Sequence, residues 1–132
     1  SLSATTSVGA LVGKANGSTL NNNTVNTRWG ASTSTLSALN VGGLVGEAEN
    51  MVQLKENRMC KLVLSPSSSS GYVGQLYGKL TGNANASKTL FASIEISNSA
   101  GATSNALSGI NKTETDTNEA GAIERATWTY VE

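Results

Sequence analysis

Val41-Gly42-Gly43-Leu44-Val45-Gly46 sets three glycines among three apolar residues that would ordinarily be packed in a core. The stretch has relatives. Val8-Gly9-Ala10-Leu11-Val12-Gly13, Val73-Gly74-Gln75-Leu76-Tyr77-Gly78 and the weaker Ser104-Asn105-Ala106-Leu107-Ser108-Gly109 follow the same order, with starts 33, 32 and 31 residues apart. Recurrence at that interval is the signature of a repeat architecture in which each unit buries its neighbour.

The type of repeat follows from what the chain lacks. No 3.6-residue apolar stripe is present, and Gly, Ser, Thr and Asn are poor helix formers because they cost backbone entropy or bond their own backbone. Short strands remain, among them 10–12, 20–28, 72–77, 89–96 and 122–131. Units of this length cannot each close a globular core, but they can wind the coils of a β-solenoid. The expected architecture is therefore one all-β domain over residues 1–132, a β-solenoid (β-helix) of about four 31–33-residue units starting near 8, 41, 73 and 104. A β-sandwich of the same strands is the alternative. Leu11, Leu44, Leu76 and Leu107 would stack inside. Gly9, Gly13, Gly42, Gly46, Gly74, Gly78 and Gly109 would form corners, either where a Cβ would clash or where φ must be positive. Residues 65–71, Ser-Pro-Ser-Ser-Ser-Ser-Gly, read as an exposed loop. Residues 21–23, three asparagines, read as a polar turn or a small ladder.

At these segments the chain resembles the GLUG repeat, a short Val-Gly-Gly-Leu-Val-Gly motif that occurs in tandem in large surface and secreted proteins. Val41 to Gly46 matches it fully; the first and third copies depart at Ala10, Gln75 and Tyr77, and the fourth keeps only Ala106, Leu107 and Gly109. The resemblance implies an extracellular or cell-surface β-solenoid module and carries no catalytic residues.

Composition narrows the function. Charged residues are 14% of the chain and aromatics 5%, with nine basic and nine acidic residues and no histidine. Average domains carry roughly 25% charged residues. A neutral chain has no bulk field to gather nucleic acid, and the commonest general base and metal ligand is missing. No apolar stretch is long enough to span a membrane as a helix. The one cysteine, Cys60, lies in an apolar run and reads as a buried thiol. No phosphate-loop order is present, and the acids Glu47/Glu49 and Glu114/Asp116 have nothing apparent to raise one pKa for glycosidase chemistry. The chain is not expected to be an enzyme or to hold a cofactor or metal.

Four Asn-x-Ser/Thr triplets mark Asn16, Asn22, Asn85 and Asn111 as candidate N-glycosylation sites. Trp29, Trp128, Tyr130 and Val131 are candidate assembly or sugar contacts, against the simpler reading that the tryptophans fill or cap the solenoid ends. The expected function is a structural module of an extracellular filament, sheath or adhesin. It would assemble end to end with other copies or with tandem repeats, in one version by donating residues 128–131 to a neighbour's first coil. The alternative is a carbohydrate-binding surface module with glycans as partners.

Overall fold

The computed structural model describes residues 1–27, 30–105, 110–114 and 126–131. Its strands follow the chain around a three-sided coil. After β1 (Leu2–Ser3), the first coil runs through β2 (Ser7–Gly9), β3 (Val12–Asn16), β4 (Thr19–Asn21), β5 (Thr24–Val25) and β6 (Ser34–Ala38). The second is β7 (Asn40–Gly42), β8 (Val45–Lys55) and β9 (Arg58–Pro66), and the third β10 (Tyr72–Gly74), β11 (Tyr77–Ser87) and β12 (Thr89–Ile96). Then come β13 (Thr103–Ser104), β14 (Ile110–Glu114) and β15 (Ala126–Val131).

Successive coils pair in parallel and make three sheets: β13-β10-β7-β2, β11-β8-β3 with β4 also on β8, and β1-β6-β9-β12-β15-β14 with β5 also on β9. The chain is thus a β-solenoid, of about three turns where four units were expected. The fourth segment contributes β13, on β10; beyond it β15 lies antiparallel on β12, and β14 antiparallel on β15. The sequence gives a reason for the change. In the fourth segment Ser104 pairs with Val73, where the earlier coils set Val8 and Val41 against each other. Asn105 then stands where a corner glycine would, its backbone N–H bonded to the Val73 carbonyl and its amide to the Gly78 carbonyl. Leu107 and Gly109 lie outside the described residues.

The recurring motif is the corner between the first two sheets. Val8, Val41 and Val73 point inward one above another, and the amides of Leu11 and Leu44 donate to the carbonyls of Leu44 and Leu76 at 3.1 and 3.0 Å. The glycines are demanded by close approach. A Cβ on Gly42 would run into the Val45 carbonyl oxygen and lie 2.7 Å from the Gly78 amide nitrogen; Gly9 and Gly74 face Val12 and Tyr77 in the same way. Positive φ occurs elsewhere. Left-handed residues form columns that bend successive strands together: Gly17, Asn50 and Gly82 within the second sheet, and Asn22, Glu56 and Lys88 where the second sheet turns into the third. Lys61 and Ser93, paired positions in β9 and β12, form another such pair.

Interior positions are apolar and fully enclosed in the second coil, where Val41, Leu44, Val45, Ala48, Val52, Leu54 and Met59 have no exposed surface. A second cluster, Cys60, Leu90, Ala92 and Trp128 with Tyr130 against it, is separate from this core. It arises because β9 and β12 alternate: Met59 and Phe91 join the central core while Cys60, Leu90 and Ala92 join the other cluster. The left-handed Lys61 and Ser93 then return Leu62 and Ile94 to the central core.

Several local expectations change. Residues 72–77 are two strands broken by the corner, and residues 10–12 are the corner itself with only Val12 in a strand. Pro66 ends β9, buried, opposite Ala38, so the exposed loop begins at Ser67. The run from Lys79 to Ser87, with no apolar pattern, belongs to an 11-residue strand because β8 templates it.

Candidate functional site

Two surfaces stand out, a polar groove on the flank and the first coil at the end. The groove forms where β8 passes into β9. Lys55 and the left-handed Glu56 both face outward, Asn57 turns fully inward, and Arg58 emerges again, half-buried. The same sequence of turns in the neighbouring coils stacks Asn22, Glu56 and Lys88 in one column, and sets Thr24, Arg58, Leu90 and Tyr130 across the adjoining sheet. These seven residues line a cleft of about 440 Å³.

A buried polar column fixes the floor. Asn57 Oδ1 accepts from the backbone N–H and the side-chain amide of Asn23 at 3.0 Å each, and Asn57 Nδ2 donates to the Leu20 carbonyl at 2.9 Å. One coil on, the buried Thr89 hydroxyl donates to the Ser87 carbonyl at 3.1 Å. Buried amides are costly unless bonded, and among the described residues no buried side-chain nitrogen or oxygen lacks a partner. Residues 21–23 are therefore both turn and ladder: Asn22 makes the turn and Asn23 the ladder.

Two acids on the second sheet are paired locally. Lys14 Nζ lies 2.9 Å from Glu49 Oε1 and Lys79 Nζ 3.9 Å from Glu47 Oε1, while Ser7 Oγ donates to Glu47 Oε2 at 3.3 Å. Hydrogen bonding to Glu49, then the charges of Glu49 and Glu47, hold the Lys14 ammonium above its ordinary pKa of 10.5. Glu47 and Glu49 are thus half of two ion pairs. In the groove Glu56, Arg58 and Lys88 make no ion pair among the described residues, as is true of Lys55 and Glu95 outside it. The described residues contain no cluster of three potential metal ligands and no helix long and apolar enough to cross a membrane.

The end surface is the outer edge of the first coil. β2, β3, β4 and β5 pair with the second coil and, among the described residues, with nothing on their other side. Leu11, Val12, Leu20 and Val25 are half-buried, whereas their counterparts Leu44, Val45, Leu54 and Met59 are wholly enclosed. A second cavity of about 250 Å³ lies between Leu2, Val25, Leu36 and Leu62, and Leu2 is 49% exposed. At the opposite end β11 pairs only with β8 among the described residues.

The residues singled out from sequence are dispersed. Trp128 is fully buried, a filler as in the simpler reading; a ring without exposed surface offers no platform to a sugar. Trp29 lies outside the described residues. Val131 pairs with Thr89 and Tyr130 with Leu90, so within this chain residues 128–131 are held in their own sheet. Asn16 and Asn85 are exposed, Asn22 is exposed on the groove rim, and Asn111 falls on β14. Glu56, Arg58 and Lys88 were not singled out, although Glu56 and Lys88 are one repeat apart and projecting the period onto polar positions would have found them. Comparison with protein-family models, with curated proteins and with solved structures gives no match.

Proposed function

We propose that the chain is a structural module of an extracellular filament, sheath or adhesin, in which coils continue from one copy or repeat onto the next. The observation that supports this reading is the contrast between the half-exposed Leu11, Val12, Leu20 and Val25 and their wholly enclosed counterparts one coil further in. A parallel coil ending in unpaired backbone groups and partly wetted apolar side chains is complementary to another coil of the same kind. The resemblance of Val41 to Gly46 to tandem surface-protein repeats agrees with it. β15 need not leave its own sheet for such stacking, since β3 and β11 are open edges of the second sheet.

Electron microscopy of the purified protein over a range of concentrations tests this. Stacked copies give filaments with one regular axial repeat per copy along the ladder direction. Leu2→Lys, at an exposed end position, shortens them without loss of folded β-signal. Isolated rods of one copy at every concentration would refute the proposal.

A further inference from the structure

We propose that the groove bounded by Glu56, Arg58, Lys88 and Tyr130 binds an acidic saccharide, with the sugar carboxylate on Arg58 and Lys88. The cleft, about 440 Å³, is within the usual size of small-ligand sites, roughly 300–1,000 Å³. Its chemistry is mixed in a way that suits one ligand class. Arg58 presents a planar fork of donors that matches a carboxylate in two parallel bonds, and Lys88 adds a second cation. Glu56 can accept from ring hydroxyls, and Asn22 and Thr24 can both donate and accept. Tyr130, half-buried over the almost enclosed Leu90, gives the apolar wall that the C–H face of a sugar ring needs.

Two further observations favour a ligand over a merely solvated face. The three charged groups remain without ion-pair partners among the described residues, although Glu56 and Arg58 are two residues apart and Glu56 and Lys88 stand at paired corner positions. Glu56 and Lys88 also hold left-handed φ values of 56° and 48°, the conformation Asn22 adopts at the same corner with φ 58°. Asparagine tolerates this region; longer side chains enter it at a cost. Strain of this kind collects at functional sites, and in this chain also at the Lys61–Ser93 bend, so its weight here comes from the two charged side chains it sets on one cleft. The Asn23–Asn57–Thr89 column beneath keeps the groups in position before a ligand arrives. The inference does not depend on whether copies stack.

The test is titration calorimetry of the whole chain with trigalacturonate, with a neutral trisaccharide and with inorganic phosphate. Trigalacturonate is expected to bind, to weaken as salt rises, and to lose about tenfold or more in affinity in Arg58→Gln and several-fold in Lys88→Gln. Lys79→Gln, which removes an equal charge outside the groove, leaves binding unchanged. Circular dichroism checks that each variant is folded, and Lys88, an exposed side chain, keeps the test usable should Arg58→Gln not fold. No binding of trigalacturonate at millimolar concentration overturns the proposal. Equal binding of the neutral sugar or of phosphate, or equal loss in Lys79→Gln, does so as well.

Discussion

Asn57 Oδ1 accepts both the backbone N–H and the side-chain amide of Asn23, each at 3.0 Å, so one buried oxygen ties the first coil to the second. Asn57→Ala strands these donors and the Leu20 carbonyl in a partly buried site. Stranded buried groups cost about 1–3 kcal/mol each, with partial relief by water, so a loss of about 2–4 kcal/mol is expected in urea unfolding. Asn57→Thr, the residue the third coil uses at Thr89, is expected to lose less. Equal stability of Asn57→Ala and the parent protein would show that the column is not structural.

Gly42 and Gly17 separate two reasons for glycine. At Gly42 an added Cβ would strike the Val45 carbonyl and crowd the Gly78 amide, backbone on both sides, and Gly42→Ala is expected to cost more than about 3 kcal/mol or prevent folding. Gly17 has φ 59° and nothing within 4 Å of a new Cβ, so Gly17→Ala is expected to cost only the left-handed penalty, about 1–2 kcal/mol. Thermal unfolding of the two variants would order them; the reverse order contradicts the corner assignment.

Trp128 and Cys60 are both without exposed surface and share one cluster outside the central core. The thiol is expected to resist a water-soluble disulfide reagent in the folded protein. Trp128→Ala should lose about 3–5 kcal/mol and raise the rate of thiol labelling at denaturant concentrations well below global unfolding. Unchanged labelling would mean that β15 does not shield β9.

The Lys14–Glu49 pair sets an alkaline dependence. Lys14 has a folded pKa above its ordinary 10.5, so its contribution is fully present below that value and is lost as pH rises through the folded value. The stability difference between the parent and Lys14→Met, small because Lys14 is exposed, should be constant from pH 7 to 9 and shrink above pH 10.5. A difference that grows with pH would contradict the pairing.

The central coil was legible because its signal is periodic: Val, Gly and Leu recur near every 32 residues and each has one geometric role. The number of coils was less so. Ser104 and Asn105 mark the place where the core residue and the corner glycine are both lost, but the antiparallel β14 and β15 depend on which edge is open, which no local pattern states. The strand from Lys79 to Ser87 was missed for a similar reason, since its partner β8 and not its own propensity makes it extended. The groove escaped notice because a charged residue in a left-handed corner resembles an ordinary loop until the coils bring Asn22, Glu56 and Lys88 together.

Stacking can be tested most directly at Lys14 and Lys79. Both pair with Glu47 from opposite sides, so they lie two ladder steps apart within one copy. Head-to-tail continuation brings the β11 end of one copy toward the β3 end of the next, so Lys79 of one copy faces Lys14 of the next and not its own counterpart. Mixing Lys14→Cys protein with Lys79→Cys protein and a flexible thiol-to-thiol cross-linker is expected to give the mixed pair as the main cross-linked product, with Cys60 unmodified. Monomers alone, or only symmetric Lys14→Cys pairs, would contradict head-to-tail continuation of the solenoid.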